Sequence, residues 1–165
     1  SRRGVELSYL GQWGAVWRTT LSLTALRARF SDDVRDREAV LTIASGNHLP
    51  GTPERSAFAE IAWAPKAAWG GLNAGVELVH TGKLYANDAN TGVEAEAPAV
   101  TLLNLRVGLA QTVGRWKFTQ LVRVDNATDR RYAGSVIVND AQQRYFEPAL
   151  PRHWTLGLMA RYAFE

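Results

Sequence analysis

The sequence predicts an all-β fold, an antiparallel segment of a transmembrane β-barrel with about seven strands. Three features predict it: segments in which apolar and polar residues alternate, connections that alternate between short and long, and tryptophans gathered at the short connections. A period of two places successive side chains on opposite faces of a strand. A tilted strand needs roughly 9–11 residues to cross a bilayer, more than the ~5–6 that are usual in soluble proteins.

Alternating segments bounded by turn residues predict the seven strands Arg3–Tyr9, Trp17–Phe30, Arg55–Trp63, Gly71–His80, Val100–Ala110, Arg115–Asp125 and His153–Phe164. The last segment has the clearest pattern. One of its faces is entirely apolar, namely Trp154, Leu156, Leu158, Ala160, Tyr162 and Phe164. The third segment alternates least clearly. No apolar run approaches the roughly 18 residues of a membrane-spanning helix, so helical spanning of a membrane is not expected.

Charged residues occupy the middle of the opposite strand faces: Glu6, Arg18, Glu77, Arg106, Lys117, Arg123 and Arg161. At the depth of a membrane such side chains must face water or one another. This pattern predicts a lipid-facing apolar surface and an enclosed polar interior, as in outer-membrane barrels.

The connections give a second, independent signal. They are short at Gly11–Ala15, Pro65–Gly70 and Gln111–Gly114, and long at Ser31–Glu54, Thr81–Ala99 and Asn126–Arg152. Outer-membrane barrels have brief turns at one end and long extracellular loops at the other. Trp13, Trp17, Trp63, Trp69 and Trp116 all fall at the short-turn end, and Trp154 marks the other end. Aromatic rings with a polar tip prefer the membrane boundary, so these tryptophans predict an interfacial girdle.

Composition excludes several classes of function. The chain has no cysteine, which removes disulfides, thiolate metal sites and cysteine nucleophiles. Its 19 basic residues are interspersed with 16 acidic ones and form no basic stripe, so we expect no nucleic-acid partner. The first residues lack the charged and apolar pattern of a secretory leader, which predicts a mature or truncated chain.

Five stretches carry a resemblance to a known family: Gly46–Pro53, Tyr85–Thr91, Asp125–Tyr132, Gly134–Asn139 and Arg144–Arg152. Together they resemble the C-terminal end of TonB-dependent outer-membrane receptors of the ferric-siderophore type. Asp125–Tyr132 is similar to a V-x-N-L-x-D-x-x-Y block, with Ala127-Thr128 in place of Leu-Phe, and Tyr145–Arg152 to a Y-F-x-P-x-x-P-R block. Phe164 is similar to the terminal aromatic residue of the barrel-assembly signal.

The resemblance implies a barrel of about 22 strands with a plugged lumen. Residues 1–165 would then form the C-terminal portion of the barrel domain, with the plug domain absent from this chain. It further implies an outer-membrane location and import of a ferric siderophore or similar metal chelate. The implied partners are outer-membrane lipid, the remaining strands and plug of the receptor, and an inner-membrane energy-coupling protein. Seven strands cannot close such a barrel, so we expect unpaired edges at Arg3–Tyr9 and His153–Phe164.

Tyr85, Asn87, Asp88, Arg144 and Tyr145 are the candidate ligand-binding residues, because they lie in long loops, where recognition concentrates. Aromatic rings and guanidinium groups can hold an anionic or catecholate chelate by stacking and charge. For each one, packing within the loop is the commoner role. We predict no catalytic residue, metal site or cofactor, since His48, His80 and His153 have no ligand spacing and no nucleophile motif occurs.

Two other functions remain open. A soluble β-sandwich or lipocalin-like binder has the same alternation with its apolar faces inward. A passive porin-like channel shares the lipid-facing surface but has no coupling partner.

Overall fold

The computed structural model describes residues 1–35, 41–65, 68–92 and 95–164. Its strands are β1 (Arg2–Trp13), β2 (Trp17–Ala28), β3 (Val34–Arg35), β4 (Leu41–Ile43), β5 (Arg55–Trp63), β6 (Leu72–Thr81), β7 (Leu84–Tyr85), β8 (Glu96–Ala97), β9 (Val100–Val113), β10 (Trp116–Asp125), β11 (Ala133–Val136), β12 (Phe146–Pro148) and β13 (His153–Tyr162). A 3-10 helix, Ala68–Gly71, precedes β6. Among these described residues, no helix is both long enough and apolar enough to cross a membrane.

Seven long strands form one antiparallel sheet in the order β1-β2-β5-β6-β9-β10-β13. Every long strand therefore pairs with its nearest long neighbours in the sequence, and the sheet is open, with β1 and β13 at its edges. The all-β antiparallel prediction, its seven strands and both unpaired edges are confirmed.

The strand ends differ from the predicted ones at several places. β1 continues to Trp13 and β9 to Val113, beyond the predicted ends at Tyr9 and Ala110. The turns that follow begin at Gly14 and Gly114, whose φ angles of 60° and 59° lie in the left-handed region that glycine adopts without strain. In the other direction, β2 ends at Ala28 and β13 at Tyr162, short of Phe30 and Phe164.

Each long connection contains a small two-stranded hairpin, which the sequence did not predict. β3 pairs with β4, β7 with β8, and β11 with β12. These strands have only two to four residues each, too few for a period of two to be recognised.

Strand register divides the long strands into an apolar face and a polar face. On the apolar face, Leu7, Leu23 and Ala57 are consecutive partners across β1, β2 and β5. On the polar face, Glu60 lies beside Glu77, which lies beside Asn104. All seven predicted interior charges, from Glu6 to Arg161, fall on the polar face in this register.

The apolar face has no second layer of the described chain against it. Leu156 and Leu158 are 78% and 76% exposed, and Leu7 is 54% exposed. This arrangement contradicts a sandwich, in which these side chains would be buried between two sheets. The buried residues are small or polar, with Ala28, Ala86, Ala95, Ala97, Val124, Asn104 and Asn126 among them.

Aromatic side chains line the short-turn end of the sheet as predicted. Trp13, Trp17 and Trp63 are consecutive Cα partners across β1, β2 and β5. Trp116 on β10 contacts Tyr162 on β13, with ring centroids 5.0 Å apart. Trp154 lies at the other end of β13 and is exposed. The Trp69 side chain, predicted to join the row, lies outside the described residues.

Candidate functional site

Asparagine side chains join the three long connections above the sheet. The Asn47 amide Nδ2 donates to the backbone oxygens of Asp88 and Ala89, both at 3.0 Å. In the opposite direction, Asn90 of the second connection bonds His48 of the first. Its Oδ1 accepts from the His48 backbone N at 2.5 Å, and its Nδ2 donates to the His48 backbone oxygen at 3.0 Å. These four bonds fix the first long connection against the second.

Asn139 fixes the third connection to the second. Its backbone N donates to the Ala86 oxygen at 2.9 Å, its Oδ1 accepts from the Asp88 backbone N at 3.0 Å, and its Nδ2 donates to Asp88 Oδ2 at 2.7 Å. Asn90 and Asn139 have φ angles of 54° and 55°. Asparagine tolerates this left-handed conformation better than most side chains, so residue type and geometry agree.

Asn126 organises the start of the third connection, inside the block Asp125–Tyr132. Its side chain bonds both the N and the O of Arg130 at 2.8 Å, and its backbone N donates to Asn104 Oδ1 at 2.9 Å. Asn126 is almost fully buried. The block therefore has a structural role: it turns the chain out of β10 with its polar atoms satisfied.

Tyr85 is part of a polar and aromatic cluster between the first two connections. Its ring lies 5.0 Å from the His48 ring, and Lys83 Nζ lies 5.0 Å from the Tyr85 centroid. Lys83 also donates to the Tyr85 hydroxyl at 3.1 Å and to Glu96 Oε2 at 3.3 Å. The hydrogen bond to Tyr85, followed by that to Glu96, raises the pKa of Lys83.

His48 extends this cluster to Glu54 and Arg29. Arg29 Nη2 donates to Glu54 Oε1 at 2.9 Å, and that bond lowers the pKa of Glu54. His48 Nδ1 lies 3.3 Å from the same oxygen. Burial, and then the charge of Arg29, nevertheless lower the pKa of His48 below its ordinary value of 6.5. His48 is therefore neutral at neutral pH.

The side chains of three of the five predicted binding residues contact other residues of the long connections. Asn87 Nδ2 donates to the Thr91 oxygen at 2.9 Å, closing its own turn. The Asp88 carboxylate accepts from Asn139, and the Tyr85 ring contacts the His48 ring at an interplanar angle of 38°. These contacts are the loop-packing roles that the sequence also allowed.

We call the contacts among Asn47, His48, Tyr85, Asp88, Asn90 and Asn139 the loop junction. Arg144 and Tyr145 lie in the third connection, apart from the loop junction. The Arg144 backbone N donates to Asp140 Oδ2 at 2.8 Å, while its side chain is exposed. Tyr145 is half-buried, with its ring 6.4 Å from that of Phe146. Within the described residues, no hydrogen bond, ion pair or ring contact joins either residue to Tyr85, Asn87 or Asp88. The structure therefore does not bring the five together as one set.

A cleft of about 320 Å³ lies between the polar face and the third connection. Thr81, Val100 and Leu102, at the ends of β6 and β9, form one wall, and Tyr132–Val136 forms the other. None of the five predicted residues lines it. The sequence singled out Gly134–Asn139 as a motif, but its small residues gave no sign that they form a cleft wall.

An ion-pair network crosses five strands of the polar face below the loops. Arg123 holds Glu77 with both guanidinium ends at 2.7 Å and donates to Asp125 at 2.8 Å. Arg106 pairs with Glu60, and its Nε lies 3.7 Å from Glu77 Oε1. His153 on β13 lies 3.6 Å from Asp125. The sequence predicted three of these charges as interior, and its alternation also placed Asp125 on the face of Arg123. It did not predict Glu60 or any of the pairings.

The histidines form no cluster. His80 Nδ1 lies 2.9 Å from Thr101 Oγ1, His48 lies in the loop junction, and His153 contacts Pro151 and Asp125. Among the residues that the structure describes, no group of three or more His, Asp or Glu side chains is arranged to hold a metal ion.

Comparison with known proteins gives a family match. Residues 1–127 of the 165 match the family described as "TonB dependent receptor-like, beta-barrel".

Three solved structures show that this chain has the fold of part of a larger barrel. The siderophore receptor PiuA from Acinetobacter baumannii is 20% identical with a TM-score of 0.75, and the match covers 96% of this chain and 21% of that one. The ferric preacinetobactin receptor BauA from the same species is 20% identical with a TM-score of 0.74, covering 96% and 22%. The ferric yersiniabactin uptake receptor FyuA from Yersinia pestis is 21% identical with a TM-score of 0.71, covering 99% and 23%. This chain spans about a fifth of their length.

Proposed function

Because the chain belongs to the TonB-dependent receptor-like β-barrel family, we propose that it forms part of the wall of an outer-membrane importer for a metal chelate. The observation that carries this proposal is the division of the sheet into an exposed apolar face and a polar face crossed by ion pairs. In this proposal the apolar face contacts lipid and the polar face borders the barrel interior.

Residues 1–165 form the C-terminal portion of this barrel. The open edges β1 and β13 pair with further strands of the same receptor, since an unpaired edge in lipid leaves backbone groups without partners. A complete barrel of about 22 strands encloses a plug, as is usual for large outer-membrane transporters. Import draws energy from an inner-membrane protein acting on that plug. The chain has a transport role and no catalytic one.

The proposed cargo is a ferric siderophore or a similar anionic chelate. The three similar structures are those of a siderophore receptor, a ferric preacinetobactin receptor and a ferric yersiniabactin uptake receptor, which supports the cargo class. In this chain, the exposed Arg144 and the neighbouring Tyr145 offer charge and an aromatic ring from one loop. Tyr85, Asn87 and Asp88 act mainly by holding the loops in place.

The test uses the complete receptor in cells and compares Arg144→Ala and Tyr145→Ala with Arg131→Ala, another exposed loop arginine. Uptake of radioactive iron is measured from hydroxamate, catecholate and carboxylate chelates, with and without the potential across the inner membrane. We expect energy-dependent uptake of one class. Arg144→Ala should lower the apparent affinity about tenfold, because it removes a charge-assisted contact. Arg131→Ala should leave it within about twofold.

Two results would overturn parts of this proposal. Uptake that persists without the membrane potential would favour a passive channel. Unchanged uptake and affinity in both Arg144→Ala and Tyr145→Ala would remove these residues from the binding surface while leaving the importer in place.

A further inference from the structure

Three arginines lie together on the apolar face, at its long-connection end. Arg3 and Arg27 are direct Cα partners across β1 and β2, and Arg55 on β5 pairs with Ala25, two residues from Arg27. In this register all three belong to the same face as Leu7 and Leu23. They also line one shallow cleft of about 440 Å³. We call Arg3, Arg27 and Arg55 the outer arginine cluster.

The charges of this cluster are not balanced within the described chain. Like charges directly opposite each other in an antiparallel pair are destabilising. None of the three guanidinium groups forms a hydrogen bond or an ion pair with a carboxylate of the described residues. Glu54 lines the same cleft, but its Oε1 is already 2.9 Å from Arg29 and 3.3 Å from His48. The cluster therefore has an excess of positive charge.

The cluster lies at the height of a membrane boundary. Ten residues separate Trp17, in the aromatic row at the turn end, from Arg27 on the same strand. At about 3.3 Å per residue this is roughly 33 Å along the strand. A strand tilt of about 40° reduces it to about 25 Å, the usual height of the apolar band of such barrels. Arg27 thus lies where lipid headgroups begin.

An apolar groove continues from the cluster toward the middle of the same face. It has a volume of about 400 Å³ and is lined by Val5, Leu7, Leu23, Ala25 and Ala57 together with Thr24, Arg55, Ser56 and His80. Val5, Ala25 and Arg55 line both the groove and the arginine cleft. The small side chains of Ala25 and Ala57 leave space between larger neighbours for an acyl chain.

We infer that the outer arginine cluster and this groove bind a lipid of the outer leaflet whose headgroup carries phosphate. The guanidinium groups hold the phosphate, which they match in charge and in bidentate geometry, and an acyl chain occupies the groove. This inference rests on the proposed membrane placement of the apolar face, and it adds a lipid site that the chelate transport proposal does not require.

The test measures binding of diphosphorylated lipid A to the complete receptor in detergent, by native mass spectrometry. The variant Arg3→Ser/Arg27→Ser/Arg55→Ser should bind roughly a hundredfold more weakly, since each arginine near an anionic surface contributes about fivefold. The matched control is Arg2→Ser, next to Arg3 but on the opposite face, where its Cα partner is Ala28. The control should bind like the parent protein.

Two further variants keep the test decisive if the triple serine variant does not fold. Replacing all three arginines by lysine retains the charge and should retain most of the binding. Ala57→Phe fills the groove without altering the cluster and should weaken binding roughly threefold to tenfold through lost acyl contact. The inference fails if the lysine and phenylalanine variants both bind lipid A like the parent and the parent binds phosphatidylcholine as strongly as lipid A. In that case the site does not select a phosphate-bearing lipid.

Other results would also overturn it. They are unchanged binding in the triple serine variant, an equal loss in Arg2→Ser, or displacement of lipid A by inorganic phosphate at equal concentration. Iron uptake by the same variants separates the two proposals. Lipid A binding without any chelate transport would contradict the proposed cargo but not this site, and transport without lipid A binding would do the reverse.

Discussion

The two faces of the sheet are stabilised by different kinds of interaction. On the apolar face, side chains such as Leu156 and Leu158 point away from the described chain and are more than three quarters exposed. On the polar face, charged side chains bridge five neighbouring strands. The apolar face therefore requires only that its residues be apolar, whereas the polar face requires particular partners at particular positions.

The physical reason is the surrounding medium. Lipid is as apolar as leucine, so an outward leucine gains little from any specific neighbour, but a charge placed there loses its hydration. A charge on the polar face retains water or an ion partner. Substitutions on opposite faces of one strand should consequently have very different effects.

The largest expected effect comes from placing a charge on the apolar face. Leu21 lies near the middle of β2, and Ser22 is its neighbour on the polar face. In the complete receptor, Leu21→Arg should lower the free energy of unfolding in liposomes by about 2–4 kcal/mol, as expected at the bilayer midplane. Ser22→Arg should change it by less than about 1 kcal/mol. Equal effects of the two variants, measured by urea titration of tryptophan fluorescence, would contradict the assignment of the faces.

The next largest effect should come from removing an ion-pair partner on the polar face. The Glu77 and Arg123 side chains are 13% and 26% exposed, and Arg123 grips Glu77 at two points. Removing one partner of a fully buried pair costs about 3–5 kcal/mol, and we discount this to about 2 kcal/mol for the remaining exposure. Glu77→Gln should show this loss in the same titration.

Glu6→Gln is the matched control for Glu77→Gln. Like Glu77, Glu6 lies on the polar face of the sheet, but it is on β1 and is exposed. We expect a change within about 0.5 kcal/mol, as for most surface substitutions. A loss as large as that of Glu77→Gln would show that the general charge of the face, and not the pairing, is responsible.

The assignment of residues to faces could be predicted from the sequence, but the pairing could not. A period of two places Arg106 and Arg123 on the polar face without knowledge of the neighbouring strands. Whether Arg106 meets Glu60 or Glu77 depends on the register of three strands, which alternation does not determine. The end of β1 differs from the prediction because Leu10 and Gly11 interrupt the alternation, whereas the strand itself continues to Trp13, just before the turn at Gly14.

The contacts of the loop junction could hardly be predicted from the sequence. Asn47, Asn90 and Asn139 are far apart in the chain, and asparagine is common in any loop. Asp88 and Asn87 were selected as ligand candidates because polar loop residues can serve recognition and packing equally well. The structure shows that the Asp88 side chain bonds to Asn139 of the third connection and that the Asn87 side chain bonds to Thr91 within its own turn. This junction extends the partner-specific character of the polar face into the loops.

A smaller effect should come from the asparagine that joins the second and third connections. Asn139→Ala removes two side-chain hydrogen bonds to Asp88 and places alanine, which tolerates the left-handed conformation less well than asparagine, at a φ of 55°. We expect a loss of about 1–1.5 kcal/mol in the free energy of local opening. Asn139→Gly removes the same bonds without the conformational strain, so it should lose less. Hydrogen exchange at the Asp88 amide measures both, and equal protection in both variants and the parent would remove Asn139 from the junction.

The smallest effect should be a pH response of the same junction. The pKa of His48 is lowered chiefly by burial and then by Arg29, so the opened loop binds a proton more readily than the closed loop below pH 6.5. Protection of the His48 amide, which donates to Asn90, should therefore fall as the pH drops through this range, after correction for intrinsic exchange. Glu54 acts in the same direction at lower pH, because its pKa is also lowered and its bond with Arg29 is lost on protonation. His48→Gln should abolish the first phase and keep the second, whereas a first phase that survives this substitution would assign the response to another group.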